Sequence, residues 1–189
     1  MGLIILVLLA AAVVTLLMVA ASKPNTFRIE RSASVAAAPE AVHAQIVDFH
    51  KWVDWSPWER MDPSMERHYS GAEQGIGAIY SWAGSGKAGQ GRMEISEATA
   101  AKILIRLEFI KPFKATNTAE FTLEPQGDDT LVTWAMYGPR PFVSKIMGTL
   151  FNMDDLVGKD FEAGLSNLKV LVEPSAEYEA GASEKGATP

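Results

Sequence analysis

The chain has 189 residues, 48% of them hydrophobic and 21% charged, which suits one domain with its own core and excludes a disordered chain. A formal net charge of −6, with no basic stripe and no interleaving of aromatic and basic residues, argues against nucleic acid as a partner, because that binding is dominated by Lys and Arg against phosphate. There is no Cys, so disulfides, thiol nucleophiles and thiolate metal sites are excluded.

Residues 3–21 form an uninterrupted apolar run in which Thr15 is the only polar side chain. As a helix the run spans roughly 28 Å, close to the thickness of a bilayer's hydrocarbon core. A secretory signal is the rival reading, since Val19-Ala20-Ala21 offers small residues where a signal peptidase needs them. The run is longer than a usual signal core and no Lys or Arg precedes it, so an uncleaved transmembrane anchor is expected. Lys23, Arg28 and Arg31 follow the run closely, and the positive-inside rule then places the rest of the chain on the cytoplasmic side.

The remaining segments divide into a domain over 26–173 and a tail over 174–189. Phe27, Ile29, Arg31, Ala33 and Val35 alternate with polar residues, predicting a first strand. Pro39 opens a helix whose stripe is Ala41, Val42, Gln45, Ile46 and Phe49. His50 to Glu59 reads as a second short helix or turn, broken near Pro57. Six strand-like segments follow, over 65–72, 76–83, 90–98, 102–110, 116–124 and 131–137, with Gly and Pro between most of them. From Val143 the period lengthens to about 3.5, and Ile146, Met147, Leu150, Phe151, Val157, Phe161, Leu165, Leu168 and Val172 predict one face of a single long helix. Gly148, Gly158 and Gly164 inside it mark bends or close contacts with the sheet. The tail is Ala, Glu, Gly and Ser without periodicity and reads as disordered. An antiparallel sheet with one apolar face and one amphipathic helix must bury the two together, giving an α+β domain.

Several motifs along this order carry a family resemblance. They are Trp52-Val53-Asp54-Trp55-Ser56-Pro57-Trp58, then Tyr69-Ser70-Gly71 leading to Gly75-Ile76-Gly77 and Tyr80-Ser81-Trp82. Gly91-Arg92-Met93-Glu94-Ile95, Lys111-Pro112-Phe113 and Thr133-Trp134-Ala135-Met136-Tyr137-Gly138 come next, and Met153-Asp154-Asp155-Leu156-Val157-Gly158-Lys159-Asp160-Phe161-Glu162 closes the set. Together they resemble the SRPBCC or START-like superfamily, and within it the bacterial polyketide cyclase/dehydrase-like proteins. The resemblance implies a helix-grip fold, like that of START and birch-pollen-allergen proteins, in which a curved antiparallel sheet wraps a long C-terminal helix around an apolar cavity. It also implies a bacterial inner membrane for the anchor. It does not by itself fix an activity, because one scaffold hosts binding, transport, sensing and catalysis.

The chemistry-bearing residues have two readings each. Trp52, Trp55 and Trp58, spaced by three, are either core packing or the rim of a ligand cup. Tyr80 and Trp82 share one strand face, as do Trp134 and Met136, and these are either filled core or pocket wall. With Met93, Ile95, Ile105, Phe109 and Phe121 on the same face, and Met153, Val157 and Phe161 closing it from the helix, the expected ligand-binding set is Trp55, Trp58, Tyr80, Trp82, Met93, Phe109, Phe121, Trp134, Met136 and Phe161.

Asp154, Asp155, Asp160 and Glu162 crowd the long helix and read as a solvated face, unless one carboxylate turns into a dry cavity and moves protons. Asp154 or Tyr80 is the expected ionisable group inside. Glu94 and Glu108 should point outward. His43, His50 and His68 have no metal-binding spacing, and no metal or other cofactor is expected. The run from Gly84 to Gly91 fails as a phosphate loop, because Ser81 stands where the first Gly is needed and Ala88 follows Lys87. No nucleophile–base pair is evident. The expected partners are therefore a lipid-like or polycyclic hydrophobic small molecule and, through the N-terminal helix, the membrane. The rival functions are an enzyme acting by proton transfer on a polyketide-like substrate, and a structural or envelope-stress protein with a filled core.

Overall fold

The computed structural model describes residues 1–86, 88–150 and 152–174. Lys87 of the glycine-rich loop, Phe151 and the predicted tail beyond Pro174 lie outside them.

The first helix, α1 (Gly2–Ser22), has a mean hydropathy of 3.2 over its most apolar window and is almost wholly exposed. Its two polar side chains are satisfied within the helix, the Thr15 hydroxyl donating to Ala11 O and the Ser22 hydroxyl to Val19 O, both at 2.8 Å. The helix is long and apolar enough to cross a membrane, a property that signal sequences share.

Strand β1 (Thr26–Val35) turns Ile29 and Val35 into the core and leaves the alternate positions in solvent. Helix α2 (Pro39–Ile46) starts on its proline and buries Val42 and Ile46. The chain then tightens through a 3₁₀ turn at Phe49–Lys51, where Asp48 accepts from His50 N at 3.0 Å. The short helix α3 (Trp52–Trp55) and a second 3₁₀ turn at Pro57–Arg60 complete this segment.

Strands β2 (Glu66–Gly71), β3 (Ala78–Ala83), β4 (Gln90–Ala98), β5 (Lys102–Lys111), β6 (Ala115–Gln126) and β7 (Asp129–Pro139) form an antiparallel meander, and β1 joins its far end. The seven strands run in the order β1-β7-β6-β5-β4-β3-β2. Pairing aligns the inward side chains in rows, such as Ile103 opposite Phe121 and Phe121 opposite Trp134. Each large apolar side chain so buried contributes about 1.5–3 kcal/mol.

The sheet bends at β4, whose register shifts at Gln90/Gly91 and again between Ile95 and Glu97. Gly91 is required there. A Cβ at this position would collide with the indole of Trp82 and the carbonyl of Glu108.

The predicted single long helix is two. Helix α4 (Phe142–Leu150) packs against α1, and helix α5 (Met153–Val172) lies across the sheet. Asn152 is extended (φ −80°, ψ 91°) and starts α5 afresh. Asp154 and Asp155 in the first turn favour that new start, because carboxylates complement the positive end of a helix dipole. A continuous apolar period hides such a break.

Helix α5 buries Phe161, Leu165 and Leu168 against the sheet. Gly164 lets the helix close on Trp134, whose Cζ3 lies 2.7 Å from where a Cβ would stand. Gly158 leaves room for the Arg31 guanidinium, which pairs with Asp154 at 3.1 Å and Glu162 at 2.7 Å. Glu173 accepts from Ala36 N at 2.7 Å, and Lys169 donates to Ser34 O at 3.0 Å, tying the end of α5 to β1.

Candidate functional site

Between the curved sheet and α5 lies a cavity of about 340 Å³. The sheet supplies one wall from β3 to β7 through Tyr80, Trp82, Met93, Leu107, Phe109, Ala119, Trp134 and Met136. Helix α5 supplies Val157, Asp160 and Phe161. The segment from α3 into the second 3₁₀ turn supplies Trp52, Ser56, Trp58, Glu59 and Met61, while Met65 and Ala88 stand nearby. A hollow of similar volume, about 360 Å³, opens on the outer sheet face around Arg106, Thr118 and Tyr137, but it is more open to solvent and has no enclosing helix.

The three tryptophans of 52–58 separate according to depth. Trp52 donates its indole N–H to Ile46 O at 2.9 Å and anchors the turn. Trp55 is fully buried behind the wall, edge-on to Trp134 and Phe121. Trp58 faces the cavity, edge-on to Trp134 at 5.3 Å and to Phe161 at 5.9 Å. Pro57 makes the difference, since it ends α3 and re-aims the next turn. Phe121 also sits behind the wall, stacked on Trp134 at 4.8 Å. Trp58, Tyr80, Trp82, Met93, Phe109, Trp134, Met136 and Phe161 therefore line the cavity, whereas Trp55 and Phe121 are core that supports it.

The polar end of the cavity centres on Glu59, a residue the sequence pattern does not single out. Its carboxylate is buried and accepts from Arg67 Nε at 2.6 Å and from Tyr80 Oη at 2.5 Å. Arg67 also donates to the Glu59 and Met65 carbonyls, both at 2.8 Å, which fixes the guanidinium beside the carboxylate and leaves the buried charge paired. Burial, with the neighbouring Glu59 carboxylate next, pushes the Tyr80 phenol far above its ordinary range and keeps it a donor. Tyr80 is itself the middle of a stack, between Tyr69 at 5.1 Å and Trp82 at 6.0 Å. A charged partner for Tyr80 was discoverable only in space, because Glu59 lies 21 residues earlier.

The second carboxyl in the lining is Asp160. Burial raises it above the usual carboxylate range, and the Trp58 indole N–H partly offsets that rise. Asp154, expected inside, is outside on the exposed face with Arg31. Glu94 and Glu108 lie on the outer sheet face, paired with Arg92 and Arg106.

The loop beside the cavity is held by two contacts. Trp82 donates its indole N–H to Ala88 O at 3.0 Å. Asp62 accepts from the backbone N–H and hydroxyl of Ser64 with one oxygen, and from those of Ser85 with the other, all within 2.9 Å. Those four donors, led by the Ser64 hydroxyl, hold the Asp62 carboxyl well below the usual range. Among the described residues no group of three or more His, Asp or Glu could hold a metal ion.

A family model described as polyketide cyclase / dehydrase and lipid transport matches residues 26–173. No curated protein matches the sequence significantly. Among solved structures, the di-domain ARO/CYC StfQ from the steffimycin biosynthetic pathway aligns with a TM-score of 0.58 at 11% identity, over 82% of this chain and 52% of that one. Major latex-like protein 151 from Panax ginseng aligns with a TM-score of 0.57 at 11% identity, over 80% of this chain and all of that one. Protein CV1439 from Chromobacterium violaceum aligns with a TM-score of 0.55 at 16% identity, over 80% and 100% of the two chains. At these identities the likeness is one of fold, a curved sheet gripping a C-terminal helix.

Proposed function

Because this chain belongs to the polyketide cyclase / dehydrase and lipid transport family, we propose that it is a membrane-tethered binding module for a hydrophobic small molecule carrying one polar group. The observation that supports this reading is the cavity of about 340 Å³, aromatic and thioether over most of its wall and polar where Ser56, Glu59, Tyr80 and Asp160 meet it. Its volume lies at the lower end of small-molecule pockets. A compact ring system or a single acyl chain fits that space, and a whole diacyl lipid does not. Apolar surface drives binding, and the Tyr80–Glu59 pair with Asp160 orients the polar group. On this reading helix α1 keeps the cup at a bilayer, where such ligands concentrate, and the three cations after it support a cytoplasmic side for the domain.

The test is native mass spectrometry of the full chain released from nanodiscs, beside the variant Ala119→Phe. Ala119 lines the cavity from β6, so the added ring fills it. A bound apolar mass, or uptake of an added naphthalene-class probe, that disappears in Ala119→Phe is expected. Failure of the parent chain to hold either would end the reading.

A second reading is favoured by Asp160, a carboxyl whose hold on its proton burial strengthens inside an apolar cup. On it, Asp160 transfers a proton to a bound polyketide-like substrate. Asp160→Asn would then abolish turnover while leaving binding intact, and unchanged turnover would exclude that role.

A further inference from the structure

Helix α4 is inside out. In a helix facing water, charged side chains point outward and apolar ones inward. Here Lys145 is only 7% exposed, while Val143 is 67% and Leu150 59% exposed, with Phe142 and Met147 also bare. Val143, Met147 and Leu150 follow one another at spacings of four and three, so they form one stripe. The stripe continues into the first turn of α5 through the exposed Met153 and Leu156.

Lys145 is turned toward the chain leaving α1 and donates to Asn25 Oδ1 at 2.7 Å. Two more bonds fasten the same junction, Lys23 Nζ to Gly148 O at 2.5 Å and Arg140 N to Asn25 O at 2.6 Å. The apolar face of α4 is therefore held beside α1.

We propose that α4 lies in the bilayer that α1 spans, with Val143, Met147 and Leu150 in the boundary between headgroups and acyl chains. This rests on α1 being a membrane span. Three features select a lipid surface as the occupant. The stripe adjoins a helix of mean hydropathy 3.2. The polar groups of the junction are turned inward and mutually bonded, as an apolar medium requires. No Asp or Glu occurs between Asp129 and Asp154, a stretch that carries Arg140 and Lys145, so nothing there is repelled by anionic headgroups. The arrangement gives the domain a second membrane contact and a fixed tilt. It also brings the start of α5 to the lipid surface, one turn before Val157 enters the cavity wall.

The absence of Cys makes the test direct. Single variants Val143→Cys, Met147→Cys and Leu150→Cys of the full chain carry a nitroxide in nanodiscs of phosphatidylcholine and phosphatidylglycerol. Val13→Cys in α1 and Glu124→Cys in exposed β6 serve as references. Collision with oxygen, which prefers lipid, is compared with collision with a water-soluble nickel chelate. The expected result is a ratio at the α4 positions shifted to that of Val13 and away from that of Glu124. Nickel accessibility at α4 with Val13 protected would overturn the proposal and leave the anchor standing. Nickel accessibility at Val13 would remove the anchor and the proposal together. Protection of α4 from both reagents, with spin–spin broadening between labelled copies, would make the face a self-association surface and also overturn it.

Discussion

Replacing Gly164 by Ala in α5 reads out whether the helix grips the sheet as closely as the geometry requires. In an open helix interior this change stabilises by about 0.5–1 kcal/mol, because Ala restricts the unfolded chain and favours the helix. At Gly164 the new methyl would stand 2.7 Å from Trp134 Cζ3 and 3.2 Å from Pro57 Cδ. Trp134 is held on both faces. It is stacked between Phe161 at 4.4 Å and Phe121 at 4.8 Å, with Trp55 and Trp58 against its edges. Overpacking of this kind costs about 1–3 kcal/mol. The net expectation is a loss of about 1–2 kcal/mol, or roughly 2–8 °C in Tm for a domain of this size. Urea unfolding of the full chain, followed by tryptophan fluorescence, measures it.

Gly148→Ala is the reference, since nothing lies within 4 Å of its added Cβ and it should not destabilise. Trp134→Phe in the Gly164→Ala background should recover part of the loss, giving a coupling energy on the order of 1 kcal/mol. Stabilisation by Gly164→Ala, with no coupling to Trp134→Phe, would refute the close approach and the aromatic stack that enforces it.

Two further perturbations address the polar end and the loop. Tyr80→Phe keeps the ring and removes the donor to Glu59, so stability should fall by about 1.5 kcal/mol, the lower end for a hydrogen bond to a charged group because Arg67 still pairs with the carboxylate; an unchanged urea midpoint would contradict the bond. Asp62 and Asp160 should give pH dependences of opposite sign. The folded state depresses Asp62, so its contribution is present above about pH 4 and is lost as pH falls through the folded value, and Asp62→Asn should flatten the acid limb of stability measured from pH 7 to 3. Asp160 is raised, so its ionisation opposes folding at neutral pH and not in acid, and Asp160→Asn should stabilise at pH 7 with the gain vanishing below about pH 4. Parallel profiles for the two variants would refute both environments.

Periodicity made much of this protein legible. The alternation in β5 and β6 and the 3.5-residue stripe ending at Val172 are legible because a strand or helix facing a core must repeat its apolar residues at its own period, while the proline that opens α2 and the unbroken apolar run of α1 express local rules of their own. The family motifs added the grip of sheet on helix. What periodicity cannot express is depth on a face. Trp55 and Trp58 are three residues apart and chemically equal, yet Pro57 turns one into core and the other into cavity wall. Glu59, which no local pattern singles out, is the buried partner of Tyr80 and Arg67, a contact made between separate elements. The stripe through α4 matched a core-facing helix in its period, but its direction was set by the docking of α4 on α1, which turned Lys145 inward and the apolar side chains out. Local pattern thus determined most of the elements and their apolar faces, the break between α4 and α5 excepted, while tertiary packing alone decided which faces were filled, which enclosed a cavity and which were left bare, because each of those outcomes depends on residues far apart in the chain.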